Sequence, residues 1–266
     1  MTVIQAIILG IVQGLTELLP VSSSAHLNFM PWMFNWQIPD SFDLALHIGT
    51  LFAIVIYFIK DWIKLIAGGY RIAFKKEKTQ TGRLFWYIVF STIPTGILAL
   101  LLDKVKDKII GDNINLEMGI IAAALIIMGI VLYIVDKKAK SNVSLAVLKF
   151  KPAFMIGLSQ ALAAAFPGVS RSGITMTVGR AYGLDRESAA RFSFLLSAPM
   201  VAAAAIAKIP DFVLDVNFVC GVLASFIVGM LVIRFLMVYI KKGSFGIFAV
   251  YRVVIGLIIY GIMIFR

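Results

Sequence analysis

Pro167-Gly168-Val169-Ser170-Arg171-Ser172-Gly173 is polar, bracketed by glycine and charged, yet it sits between apolar helical runs far from any aqueous segment. An arginine at mid-membrane depth costs on the order of 3 kcal/mol or more. Irregular backbone persists at that depth only where protein buries it or a wet cavity receives it. The segment therefore reads as a site, and the rest of the chain is read around it.

The chain of 266 residues is 61% hydrophobic, and several apolar runs approach the roughly 20 residues that cross a bilayer. It reads as an all-α integral membrane protein. Its formal charge of +11 comes from short basic clusters between apolar runs, so these are topology signals and not a nucleic-acid face. Cys220 is the single cysteine, inside an apolar run, where packing is its expected job. Ser23-Ser24-Ala25 resembles a leader cleavage site, but no Lys or Arg precedes Lys60 and Glu17 interrupts the apolar region; the segment is expected to be retained.

Two stretches are too short and too polar to span. Val3 to Leu19 carries Gln13, Thr16 and Glu17 and stops at Pro20, after which Ser22, Ser23 and Ser24 can cap a short helix to about Phe34. Pro152 to Phe166 stops at Pro167 and is followed by the polar loop and a short helix to about Tyr182. Each pair reads as a re-entrant helix-loop-helix hairpin. Three spans follow the first hairpin, at about Asp43 to Ile59, Leu84 to Leu102 and Leu116 to Val135. Three follow the second, at about Ala190 to Ala207, Phe218 to Ile240 and Phe245 to Phe265.

Displacing the sequence by 147 positions lays Ala6 onward over Ala153 onward without a gap. Identities fall at Ala6/Ala153, Gly10/Gly157, Gln13/Gln160, Leu15/Leu162, Pro20/Pro167 and Ser23/Ser170. A single membrane domain is expected, with a first repeat at 1–135 (hairpin 1–34) and a second at 152–266 (hairpin 152–182). A hairpin plus three crossings starts the second copy on the opposite side, so the repeats are inverted and their broken turns meet near the midplane. The loops agree: Lys60 to Arg83 carries seven Lys/Arg, Asp136 to Lys151 five Lys, and Lys241-Lys242 two, all on one side. Asp103 to Asn115, with three Lys and three Asp, and Lys208 to Asn217, with one Lys and two Asp, fall on the other. The rule that positive loops stay inside places both termini and the opening of the site outside the cytoplasm.

The facing turns would gather Gln13, Glu17, Ser22, Ser23, Ser24 and His26 from one copy with Ser170, Arg171, Ser172 and Thr175 from the other. Each turn opens a helix, whose free amides and dipole suit an anion. Arg171 adds a donor fork matched to phosphate. A diphosphate would leave the pocket short of neutral, which points to a divalent cation with hard oxygen ligands, Mg2+ or Ca2+, held by Glu17. The plainer readings are a structural Glu17–Arg171 bridge, serines that only cap, and a His26 that only bonds backbone. Convergence through the repeat favours a site. Asp43 and His47, one turn apart, either belong to the site or only face a wet cavity or a neighbouring loop; Arg180 and Arg191 read as interfacial anchors, Gln160 as satisfying backbone at a helix break, and Arg252 has no assigned role.

Gln13-Gly14-Leu15-Thr16-Glu17, Leu19 to His26, and Pro167 to Gly173 resemble the two signatures of the undecaprenyl-diphosphate phosphatases of the bacitracin-resistance (BacA/UppP) family. The resemblance covers the whole chain in length, span order and repeat. It implies hydrolysis of the polyprenyl diphosphate lipid carrier to the monophosphate and phosphate, with a divalent metal, in the bacterial plasma (inner) membrane. It further implies recycling of the carrier for cell-wall synthesis and resistance to bacitracin. By position it carries the family's roles onto Glu17, Ser23 and His26 and onto the phosphate-binding loop Ser170, Arg171 and Ser172; with the facing turns, this leads to the expectation that Glu17, Ser23, His26 and Arg171 are catalytic and Gln13, Ser22, Ser24, Ser170, Ser172 and Thr175 substrate-binding. Gln13 departs from the pattern, standing where many members carry Glu, and Ala25 stands where Gly is common; Glu17 is left as the main acidic candidate.

The expected mechanism has Arg171 and the second helix end grip the diphosphate while Ser23 or a water attacks and His26 relays the proton. The alternative is a lipid-phosphate or anion transporter built on the same midplane site. The sequence names lipid and no nucleic acid as partners, and leaves a homo-oligomer open.

Overall fold

The structure is a computed structural model that describes residues 1–111, 113–207 and 214–266, apart from the side chains of Asp40 and Asp107. The Lys208 to Asn217 loop charges therefore lie mostly outside the described residues. Twelve α-helices make up the described fold. The first turn is framed by α1 (Val3–Thr16) and α2 (Ser23–Phe34), followed by α3 (Asp40–Tyr57), α4 (Ile59–Lys75), α5 (Gln80–Ile110) and α6 (Ile114–Lys138). The second half runs α7 (Phe150–Ser159), α8 (Ala161–Ala165), α9 (Arg171–Ala181), α10 (Arg186–Ala207), α11 (Val216–Tyr239) and α12 (Gly246–Phe265).

Five helices, α5, α6, α10, α11 and α12, are long and apolar enough to cross a bilayer. The bent pair of α3 and α4, turned by 75° at Phe58, makes a sixth candidate. Two expectations change here. The basic stretch after Ile59 is a helix rather than a linker, and α5 continues through Asp103 to Ile110, beyond the expected end at Leu102. The extension of α5 is a run of charged helical turns that carry an apolar helix beyond the hydrophobic layer, which hydropathy alone trims away, whereas α4 turns off from α3 as a helix of mixed apolar and basic residues.

Small residues let the helices approach. A Cβ on Gly10 or Gly14 would collide with Gly221, Ala224, Ser225 and Val228, so α1 lies close along α11. A Cβ on Gly157 would collide with Ser91, so α7 lies close along α5. Gly129 of α6 sits on the carbonyl of Ala249 in α12, and Gly256 of α12 on the carbonyl of Ala122 in α6. The same contact is thus made twice, once from each half. Where lipid tails compete on equal terms with apolar side chains, close backbone approach of this kind is what holds helices together.

A buried ion cluster closes one end of the bundle. Asp136, 3% exposed, accepts from Arg180 Nε at 2.8 Å, Arg186 Nε at 2.9 Å and the Phe245 amide at 3.1 Å, joining α6, α9, α10 and α12. Arg180 is therefore a buried structural partner and not an interfacial anchor. Arg191 pairs with Asp61 of α4 nearer the surface, outside this buried set. Removing one partner of such a buried set costs about 3–5 kcal/mol, because it strands the remaining charge.

Candidate active site

The two broken turns share one unusual geometry. Ser22 (φ 77°, ψ 97°) and Ser170 (φ 71°, ψ 114°) both lie in a backbone region that L-residues seldom enter, and both cap the following helix. Ser22 Oγ accepts from the Ala25 amide and Ser170 Oγ from the Gly173 amide at 3.0 Å. Each also contacts the hydroxyl two residues on, Ser24 at 3.2 Å and Ser172 at 3.3 Å. Strain of this kind costs about 1–3 kcal/mol per residue and persists only where surrounding structure enforces it.

This geometry corrects the sequence register. The identity at Ser23/Ser170 is not the structural equivalence: Ser22 matches Ser170, so the offset is 147 at Pro20/Pro167 and 148 after the turn. The second turn holds one residue more, and Gly168, at φ 91°, absorbs it against the backbone of Ile121. Ser23 then stands where the other turn has Arg171.

The turns also bond directly to each other. Ser172 Oγ donates to the carbonyls of Glu17 and Leu19, both at 3.0 Å, and the Gly168 amide donates to Ser24 Oγ at 3.5 Å. Glu17, 6% exposed, is the hub. Its Oε1 accepts from the Arg171 guanidinium, its Oε2 accepts from Ser23 Oγ, and His47 Nε2 stands 3.4 Å from that same Oε2. Arg171 is braced from behind by the Ser197 carbonyl of α10 at 3.1 Å, and His47 Nδ1 by the Asp43 carbonyl at 2.7 Å.

These groups open on a cavity of about 320 Å³ lined by Glu17, Ser23, Ser24, His47, Gln160, Ser170, Arg171 and Ser172, with apolar walls from Leu44, Ala99, Ala163, Ala164, Met200, Val201 and Ala204. The structure brings together most of the expected residues and leaves four outside the lining. His26 is turned away, with Nδ1 2.7 Å from the Ser22 carbonyl and Nε2 2.8 Å from Tyr251 Oη, its ring stacked on the tyrosine. Thr175 lies one turn further along α9, buried against α10, bonding the Arg171 carbonyl at 2.9 Å and Ser193 Oγ at 2.7 Å. Ser22 is spent as a cap. Gln13 is wholly buried, and neither atom of its amide has a protein partner.

Sequence reasoning left His47 undecided and Arg252 without a role. Of the pair Asp43 and His47, the histidine faces the cavity; Asp43 lines a separate one with Trp32, Trp36 and Glu117. Arg252 of α12, fully buried, donates to the Pro20 carbonyl at 3.2 Å, Gly168 at 3.0 Å and Val169 at 2.9 Å, so one guanidinium clamps both turns. The signal available in the sequence was a lone arginine inside an otherwise apolar span. Gln160, expected at a helix break, sits between α7 and α8 and donates to the Gly157 carbonyl at 3.4 Å.

A divalent cation finds few ligands here. Among the described residues no three His, Cys, Asp or Glu side chains cluster, and Glu17 is the one carboxylate on the cavity, with both oxygens engaged. That donor set does not suit an ion held by the protein alone. It suits an ion bound through one carboxylate and substrate phosphates, the common habit of Mg2+.

A sequence model described as bacitracin resistance protein BacA matches residues 6–258. An undecaprenyl-diphosphatase of Pelotomaculum thermopropionicum is 46% identical over 261 residues, covering 97% of this chain and 95% of its own. One from Moorella thermoacetica is 43% identical with full coverage of both chains, and one from Marinobacter nauticus is 36% identical over 99% of this chain and all of its own.

Proposed function

This chain belongs to the bacitracin resistance protein BacA family, and from that premise we propose that it hydrolyses undecaprenyl diphosphate to undecaprenyl phosphate and inorganic phosphate. It is a multi-pass membrane enzyme, and its reaction regenerates a lipid carrier while removing the diphosphate that bacitracin sequesters. The observation that carries the reading is the Ser23–Glu17–Arg171 constellation, a hydroxyl, a base and an anion-binding fork on one cavity.

Glu17 and Arg171 neutralise each other while the cavity holds no phosphate. An entering diphosphate competes for the guanidinium, whose planar fork matches two phosphate oxygens better than the single carboxylate oxygen it faces. The first amides of α2 and α9, together with Ser24, Ser170 and Ser172, complete the anion cradle. Glu17, released from Arg171 at Oε1 and still holding Ser23 at Oε2, becomes the base. Ser23 Oγ attacks the terminal phosphorus, its proton passes to Glu17, and the bond to undecaprenyl phosphate breaks; water then cleaves the phosphoserine, releasing phosphate and restoring the hydroxyl. The leaving group is an anion stable without protonation, so charge stabilisation outweighs acid catalysis. His47 supports the carboxylate at its second oxygen. A Mg2+ or Ca2+ arriving with the substrate would be held at Glu17 and would offset charge on the phosphates.

The two halves are read as inverted copies, supported by the doubled contacts of α1 on α11 and α7 on α5 and by the twin serine caps. The basic segments favour a bacterial plasma membrane orientation with the cavity opening away from the cytoplasm. The small side chains Ala99, Ala163, Ala164 and Ala204 leave room at the cavity wall for a prenyl chain.

The test is phosphate release by the purified protein given undecaprenyl diphosphate, with lipid movement in liposomes as companion. Release by the intact protein and its loss in Arg171→Ala support the assignment; lipid movement without phosphate release would replace it with the transporter.

A further inference from the structure

Helix α4 departs from α3 at 75° and shows three distinct faces. Leu65, Gly68 and Gly69 are buried, and a Cβ on either glycine would meet Gly82 or Phe85, which fixes that face on α5. Beside it, Ile59, Ile63, Ile66, Tyr70 and Phe74 recur at helical spacing and are 47 to 74% exposed. One residue further on at four of these five steps, Lys60, Lys64, Arg71 and Lys75 form a second exposed stripe, interrupted at Ala67 and about 22 Å long at 1.5 Å per residue. The acidic residue within the helix, Asp61, is held by Arg191 and does not neutralise the stripe.

An apolar stripe running alongside a cationic one for four turns needs a surface that offers hydrocarbon and negative charge side by side. Acidic protein or nucleic acid supplies the charge and not the hydrocarbon. The boundary of an anionic bilayer supplies both. We propose that α4 lies in the membrane interface and binds the headgroups of anionic glycerophospholipids through Lys60, Lys64, Arg71 and Lys75, with Ile63, Ile66, Tyr70 and Phe74 set among the adjoining acyl chains. This surface is separate from the diphosphate cavity and shares no residue with it.

The experiment reconstitutes the full chain in phosphatidylcholine vesicles containing spin-labelled phosphatidylglycerol or spin-labelled phosphatidylcholine, and reads the motionally restricted fraction of each. Neutralising the stripe as Lys60→Gln, Lys64→Gln, Arg71→Gln and Lys75→Gln together should lower the preference for phosphatidylglycerol by roughly five-fold, the contribution of one fully engaged cation. Replacing Lys60, Lys64 and Lys75 with Arg should keep it. An equal number of neutralisations at Lys137, Lys138, Lys241 and Lys242 should leave most of it in place. The pairs Lys60→Gln/Lys64→Gln and Arg71→Gln/Lys75→Gln should each lose part of the preference, which keeps the test decisive if the fourfold variant misfolds. Undiminished preference in the α4 variants, or an equal loss in the control, would overturn the proposal.

Discussion

Arg171 closes on Glu17 across 154 residues of chain, joining the start of α9 to the end of α1 inside the fold. In the proposed mechanism a phosphate displaces the carboxylate from the guanidinium before the carboxylate acts as base. Glu17→Ala and Arg171→Ala should each reduce kcat/KM by at least ~100-fold. The double variant should be little worse than either single, since the two act as a unit. Steady-state kinetics of the three decides it, and additive losses would separate the roles.

Ser23 and Ser24 are neighbours on the cavity with different partners, Glu17 for the first and Ser22 with the Gly168 amide for the second. Ser23→Ala should lose roughly 1,000-fold in kcat, while Ser24→Ala should lose an order of magnitude less. Acid quench during turnover should trap phosphate on Ser23, and a burst of undecaprenyl phosphate without trapped phosphate would point to direct attack by water.

The two histidines make opposite demands. His47→Ala removes a group 3.4 Å from the Glu17 carboxylate and should lower kcat more than His26→Ala, whose imidazole is engaged by Tyr251. Tyr251→Phe should reproduce the His26 effect, because both break the same bond. Kinetics showing His26 to be the more damaging loss would restore the role its sequence position suggested.

Arg252 answers three carbonyls from two turns, and each buried carbonyl left without a donor costs about 1–3 kcal/mol. Arg252→Leu should therefore lower the thermal midpoint in detergent together with activity. Arg252→Lys should recover only part of both, because an ammonium cannot span acceptors that the guanidinium reaches through separate nitrogens.

Cation binding should depend on the substrate. Mn2+ titrated into the protein and followed by electron paramagnetic resonance should show no tight site alone, and one when a non-hydrolysable prenyl diphosphate analogue is present. Tight binding to the protein alone would mean that Glu17 exchanges Arg171 for metal unaided.

The interrupted helices were legible because Pro20 and Pro167 each end a helix, serines after each can cap a new one, and the prolines recur 147 residues apart. The cavity was legible for the same reason, since two such turns have few places to meet. His47 was not, because which face of α3 turns toward Glu17 depends on how α3 packs on α10 and α11, not on local pattern. Arg252 was opaque for a related cause: its carbonyl partners carry no side-chain signature. Helix α4 left a readable trace in Ile59, Ile63, Ile66, Tyr70 and Phe74, which the interleaved lysines concealed as a basic linker.

The additional residue in the second turn bears on what two halves read as inverted copies could catalyse. Matched copies in strict register would meet a symmetrical ligand with like groups, hydroxyl opposite hydroxyl or cation opposite cation. With the slip of one position Ser23 is the counterpart of Arg171, and on the proposed mechanism the paired turns then offer a reacting side and a holding side. That polarity is what an asymmetric substrate, with a lipid at one end and a departing phosphate at the other, calls for.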